Sequence, residues 1–221
     1  MDICDKTFSL TANKLPTIKE IQKHIIFNRS QIEGTTVHTF EIRSRYTKCS
    51  FCLLSHEFLL SIVEMFKYFE VENVVELAAG CGWLSWWIKK YGFENVKTID
   101  NMTWADEQNW NVLPIVNKED AVQFVKNNKG IELYILSWPY TDELAKNIWD
   151  AMYPNQYLLY IGEEIGGCTA NDKFFKKTNK YRVKYQKIEE HFKSFYGLHD
   201  HPILLKKRRY KIWGKHMKVM G

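Results

Sequence analysis

The sequence predicts an α/β fold: a mostly parallel central sheet, helices on both faces, and a closing antiparallel pair. Three observations predict it. From residue 55 onward, short apolar runs alternate with helical patterns, as strand–helix–strand units do. The run Val74-Val75-Glu76-Leu77 passes into Ala78-Ala79-Gly80-Cys81-Gly82, and a helical pattern starts at Trp83. A buried strand therefore ends at a glycine turn that opens a helix. After Lys173 the alternation gives way to two runs that read as the closing pair.

The elements follow in order. Residues 17–27, after Pro16, read as a short helix with Ile18, Ile21 and Ile25 on one side. Residues 35–42 alternate and read as a strand. Residues 55–69 read as a helix capped by Ser55, with Phe58, Leu59, Ile62, Val63 and Phe66 as its apolar stripe. Core strands are expected at 73–76, 96–100, 112–116, 133–137 and 157–162. Helices are expected at 83–91, 103–110, 121–127 and 141–152. A further helix is expected at 173–177, and the closing antiparallel pair at 183–191 and 203–209. Trp83, Trp86 and Trp87 share one helix, where packing against the sheet accounts for them. Trp83 also stands at the ligand end of that helix. The chain divides into an N-terminal extension or cap (1–54), a sheet domain (55–210) and a basic tail (211–221).

Composition bounds the function. The chain has 221 residues, 45% of them hydrophobic, enough for one domain with a sizeable core. Its apolar runs are far too short to span a membrane. Residues 1–10 lack the basic start and apolar core of a signal peptide. The five cysteines, at 4, 49, 52, 81 and 168, are odd in number and irregular in spacing, which fits a reducing, cytoplasmic setting. Cys49 and Cys52 form a lone C-x-x-C without the further ligands a structural zinc needs. Cys81 reads as a small filler in its turn. His199-Asp200-His201 reads as a polar turn, since two histidines so spaced on a loop make a weak metal site.

Charge is uneven. The net charge is +5, yet residues 181–221 hold 11 Lys/Arg against three Asp/Glu. The segment 206–218 mixes cations with Tyr210 and Trp213. It fits either an RNA or DNA contact, with cations on phosphates and rings on bases, or a solubilising tail.

The chemistry-bearing residues gather at predicted strand ends. Gly80 and Gly82 permit a tight turn and a close ligand approach. The amides opening the next helix favour acceptor groups. Glu76 precedes the turn, and Asp100 ends the second strand. A carboxylate before the glycines suits the cationic end of S-adenosylmethionine (SAM), and one at the second strand tip suits its ribose diol. The pyrophosphate of a dinucleotide would be repelled by Glu76.

At these residues the chain resembles class I SAM-dependent methyltransferases. Glu76, Leu77, Gly80 and Gly82 match the family's first motif, with Ala78 in place of its first glycine. The resemblance implies that Glu76, Ala78, Gly80 and Gly82 form the methionine side of the pocket. It also implies that Asp100 holds the ribose, and that Met102 with Asp120-Ala121 frames the adenine. It spans roughly residues 55–205. Ser137-Trp138-Pro139-Tyr140 resembles the (Asp/Asn/Ser)-Pro-Pro-aromatic motif of amino-directed methyltransferases, with Trp138 in place of the first proline. That likeness implies an acceptor site made by Ser137, Trp138 and Tyr140, with an amine on a nucleic-acid base as acceptor. Glu163, in the loop after the fifth strand, is expected to take a proton or bind a cationic substrate. Two rivals stand beside this reading. One is an NAD(P)-dependent oxidoreductase, because Gly80-Cys81-Gly82-Trp83-Leu84-Ser85 approximates G-x-G-x-x-G. The other is a degenerate methyltransferase fold kept as a binding subunit.

Overall fold

The structure, a computed structural model, describes residues 14–24, 43–44, 46–104, 112–195, 197–208, 210–213 and 216–219. In chain order these form α1 (Ile18–His24), α2 (His56–Tyr68), β1 (Val74–Leu77), α3 (Trp83–Lys90), β2 (Val96–Asp100) and β3 (Val116–Lys118). Then come α4 (Ala121–Asn127), β4 (Leu133–Ser137), α5 (Leu144–Ala151), β5 (Tyr157–Gly162), α6 (Asp172–Thr178), a 3-10 turn (Asn179–Tyr181), α7 (Gln186–Glu190) and β6 (His201–Lys206). A separate two-stranded antiparallel sheet follows, β7 (Tyr210–Trp213) and β8 (His216–Val219).

The main sheet runs β3-β2-β1-β4-β5-β6. Its first five strands are parallel, and β6 pairs antiparallel with β5 from Tyr157↔Lys206 to Gly162↔His201. This is a Rossmann-like arrangement, a parallel sheet closed by one antiparallel strand. Strand side chains alternate between faces, and the core divides accordingly. Val74, Leu133, Ile135, Leu159 and Ile161 join the layer containing α2, α3 and the Ile188 of α7. Val75, Leu77, Tyr134, Leu136, Leu158 and Tyr160 join the layer containing α4, α5 and α6. Burial on both faces explains why β1 is apolar apart from Glu76. Ser55 caps α2, its hydroxyl accepting from Phe58 N–H at 3.1 Å.

Several boundaries differ from the sequence expectation. The third strand is Val116–Lys118 rather than 112–116. Pro114 lacks an N–H for the ladder, and Leu113 N–H instead donates to the Cys81 carbonyl, 3.0 Å. The helix expected from 141 starts at Leu144, whose N–H donates to Asp142 Oδ1, 2.8 Å. The strand expected at 183–191 is α7 instead. Arg182 bridges β6 opposite Leu205, Val183 N–H donates to the Leu204 carbonyl (2.8 Å), and Ile188 alone of α7 is buried. One buried side chain in a Lys/Glu/Gln context suits a surface helix turn better than a strand. The strand expected at 35–42 and most of the helix expected at 103–110 lie outside the described residues. Among the described residues no helix is long and apolar enough to cross a membrane.

Candidate active site at the carboxyl edge of the sheet

A cavity of about 280 Å³ opens where β1, β2 and β4 end, the edge at which ligands lie in open α/β sheets. Between β1 and α3 the chain turns through three left-handed residues: Ala78 (φ 49°), Gly80 (φ 56°) and Gly82 (φ 82°). Alanine pays roughly 1 kcal/mol there, at the position where the resembled motif has glycine. Gly80 lines the cavity, and a Cβ on it would meet no atom within 4 Å, so its face is open to a ligand. Gly82 has a different task. It does not line the cavity, and a Cβ on it would approach Val116 Cγ2 to 2.5 Å. It lets the turn pack against the start of β3.

Glu76 and Asp100 face the cavity from adjacent strands and are both almost fully buried. Glu76 Oε2 accepts from Ser85 N–H (3.0 Å) and from the Ser85 hydroxyl. Burial nonetheless pushes its carboxyl up to about 7, because those bonds do not replace lost water. Asp100 Oδ2 accepts from Gly80 N–H (2.8 Å), which pins the glycine turn to β2. Its Oδ1 accepts from Met102 N–H (2.7 Å) and from the Trp104 indole (3.0 Å). Asp120 caps α4, accepting from Gln123 N–H at 2.7 Å, and lines the cavity with Ala121.

The opposite wall comes from the chain after β4. Ser137, Trp138, Pro139 and Tyr140 all line the cavity. Trp138 sits at φ 51°, a conformation unfavourable for a bulky residue and held only where surroundings over-determine it. Three contacts do so. Its N–H donates to the Ile161 carbonyl (2.8 Å), its indole donates to Asp200 Oδ2 (3.0 Å), and its ring stacks on Phe51 (centroids 5.9 Å apart, 24° between planes). Asp200 is 4% exposed, and burial raises its pKa.

The structure therefore gathers Glu76, Ala78, Gly80, Asp100, Asp120, Ala121, Ser137, Trp138 and Tyr140 around one cavity. It places Gly82, Met102 and Glu163 elsewhere. Met102, at φ 60°, contributes its backbone N–H to Asp100, while Asn101, Thr103 and Trp104 line the cavity beside it. Glu163 staples its own loop: Oε2 accepts from Cys168 N–H (2.9 Å) and Oε1 from His199 N–H (3.1 Å). The Cys168 bond first, and the His199 bond after it, hold its pKa below the usual value. The residue expected to act as acid or base thus lies outside the lining of this cavity, its carboxylate engaged by its own loop. Cys81 lines the cavity as a filler, its thiol directed at the Lys48 carbonyl (3.3 Å) and pushed by burial up to about 12. Trp83 is both core and lining, edge-on to Trp86 at 5.6 Å.

Sequence reading missed Phe51, Asp142 and Trp104, all in the lining, and Asp200, which holds Trp138. Phe51 lay inside the C-x-x-C that drew attention to its cysteines. Among the described lining residues, four are carboxylates (Glu76, Asp100, Asp120, Asp142) and none is Lys, Arg or His.

No family model and no curated protein matches the chain. Solved structures do resemble it. Human N-acetylserotonin methyltransferase in complex with SAM is 13% identical over 67% of this chain and 51% of its own, with a TM-score of 0.42. The N-methyltransferase NodS from Bradyrhizobium japonicum WM9 is 12% identical over 69% of this chain and 97% of its own, TM-score 0.43. The methyltransferase domain of bacterial CtHen1-C is 14% identical over 68% and 97%, TM-score 0.45. The chain spans about half the length of the first of these. These are likenesses in the path of the chain. The functional reading rests on the residues of the cavity.

Proposed function

We propose that the chain is a SAM-dependent methyltransferase. The observation that carries this is the meeting of Glu76, Gly80 and Asp100 on one cavity whose far wall is Ser137 to Tyr140. The donor set fits the cofactor. Glu76 is a buried carboxylate with no cation among the described lining residues, so a bound ammonium would supply its missing partner. Asp100 accepts from a side-chain donor, the Trp104 indole, which a ribose hydroxyl can replace. The open face of Gly80 admits a close approach. A dinucleotide fits worse, because its pyrophosphate would meet carboxylates and no cation.

SAM supplies an electrophilic methyl group on a sulfonium. The chain's task is to position it and exclude water. Glu76 and the glycine turn hold one end, Asp100 and Asp120 the other, and Trp138 the acceptor. The acceptor we read as an amine on a planar group, for which a nucleic-acid base was the expectation from sequence. The support for a nucleic acid is the charge of residues 206–218, and its check is removal of residues 206–221. A nucleic-acid contact through this segment requires loss of RNA or DNA affinity at low salt, and unchanged affinity refutes it.

Calorimetric titration with S-adenosylhomocysteine (SAH) tests the main reading. Saturable one-site binding is expected. No binding at millimolar ligand overturns it.

A further inference from the structure

Resting on the methyl-transfer reading, we infer that the acceptor is a small, uncharged aromatic amine that carries no phosphate. The first ground is the shape of the acceptor wall. Trp138 and Phe51 stack, 24° between planes with centroids 5.9 Å apart, and together make an aromatic wall. Trp138 is fixed there by Asp200 and by its left-handed backbone. Tyr140, 69% exposed, extends the surface toward the mouth. A flat ring is what such a wall binds, in an offset-stacked or edge-on pose.

The second ground is charge. Four carboxylates and no cation line the cavity among the described residues. A phosphate entering it would lose water and find no compensating cation among the described lining residues. Asp142 stands on the acceptor side, beside Tyr140 and Leu144. Lys206, Lys207 and Arg208 are not among the residues that line it.

The third ground is how charge moves in the reaction. The acceptor nitrogen's lone pair forms the new N–CH3 bond as the S–CH3 bond breaks, and that bond's electron pair stays on sulfur. Positive charge passes from sulfur to nitrogen, and the nitrogen then loses its proton to water at the open mouth. A cation forming against the Trp138 ring, in a cavity lined by carboxylates, is stabilised by both. An amine already protonated has no lone pair to offer, so the reacting form is neutral. Size agrees: about 280 Å³ is near the lower end of ligand pockets, which favours a small acceptor.

The test uses the full chain with methyl-tritiated SAM and five acceptors: aminopyridine, aminoquinoline, adenosine, adenosine 5′-monophosphate and a short single-stranded RNA. Tryptophan quenching in the presence of SAH gives acceptor binding independently of turnover. Uncharged ring amines, adenosine included, are expected to exceed the monophosphate and the RNA by at least about tenfold in kcat/KM or in affinity. Trp138→Ala should raise acceptor KM by about tenfold while SAH affinity is kept, and Trp138→Phe should restore much of the loss. Asp142→Lys should shift preference toward the monophosphate. Equal or better use of the monophosphate or RNA overturns the inference, and leaves the methyl-transfer reading in place. So does SAH binding without binding or methylation of any uncharged ring amine at millimolar concentration. Failure of SAH to bind removes the methyl-transfer reading and this inference with it.

Discussion

The Trp138 indole N–H donates to Asp200 Oδ2 at 3.0 Å across 62 residues of sequence. The bond joins the turn after β4 to the residue before β6, and it aims an aromatic ring at the cavity. Asp200 Oδ1 is buried and meets no donor among the described residues. The protein keeps an under-satisfied carboxyl there, and its one side-chain task visible in the structure is to hold Trp138.

Asp200→Ala should therefore cost about 1 kcal/mol of stability, because it leaves a half-buried indole N–H unpaired. Asp200→Asn keeps an acceptor oxygen and should cost less. Urea denaturation gives the stabilities. Acceptor KM, measured with SAH affinity as control, shows whether the lost bond acts on the acceptor wall.

Glu76 makes both stability and binding depend on pH. Its folded pKa, about 7, lies above the unfolded value of roughly 4.3. The group favours the fold fully below about 4.3, and that contribution is lost as pH rises through about 7, on the order of 3 kcal/mol in all. Glu76→Gln should flatten this slope in denaturation midpoints taken across the window. A cationic ligand favours the ionised form, so SAH affinity should rise with pH from about 6 to about 8. Binding should release a proton, which calorimetry in two buffers of different ionisation enthalpy detects.

Asp100 ties the ligand site to the turn, holding Gly80 N–H and Met102 N–H as well as the Trp104 indole. Asp100→Ala should weaken SAH binding by at least about tenfold, through the lost charge-assisted bonds and the freed turn. Unchanged affinity in calorimetry would remove Asp100 from the ribose role.

The glycines of the turn should respond differently. Gly82→Ala meets both a left-handed backbone and Val116 Cγ2 at 2.5 Å, and should cost about 2 kcal/mol or more. Gly80→Ala meets only the backbone term, about 1 kcal/mol. Its methyl would project into open space, so it should harm SAH affinity more than stability. Ala78→Gly should be neutral or stabilising by roughly 0.5 kcal/mol, since relief of the left-handed alanine opposes the greater freedom of glycine when unfolded. Thermal melts and SAH titrations on the three variants separate the cases.

The sequence by itself determined the local unit on which the site is built. Periodicity, a strand-ending acid and glycine punctuation fix β1, the turn, α3 and β2 within about thirty residues, so Glu76, Gly80 and Asp100 were legible as a group. Ser137 to Tyr140 was legible for the same reason, as the end of an unmistakable strand. Only the tertiary structure decided the rest. Glu163 follows its strand as Trp138 does, yet its carboxylate is claimed by Cys168 and His199, a competition no pattern along the chain reveals. Residues 183–191 have a strand's composition in part, but β6 takes the place beside β5. Phe51 and Asp200 reach the acceptor wall from distant segments, and neither carries a local signal for it. Local propensity and periodicity act over a few turns of chain, whereas a cavity wall is set by which distant side chains can pack and hydrogen-bond together once the sheet has formed.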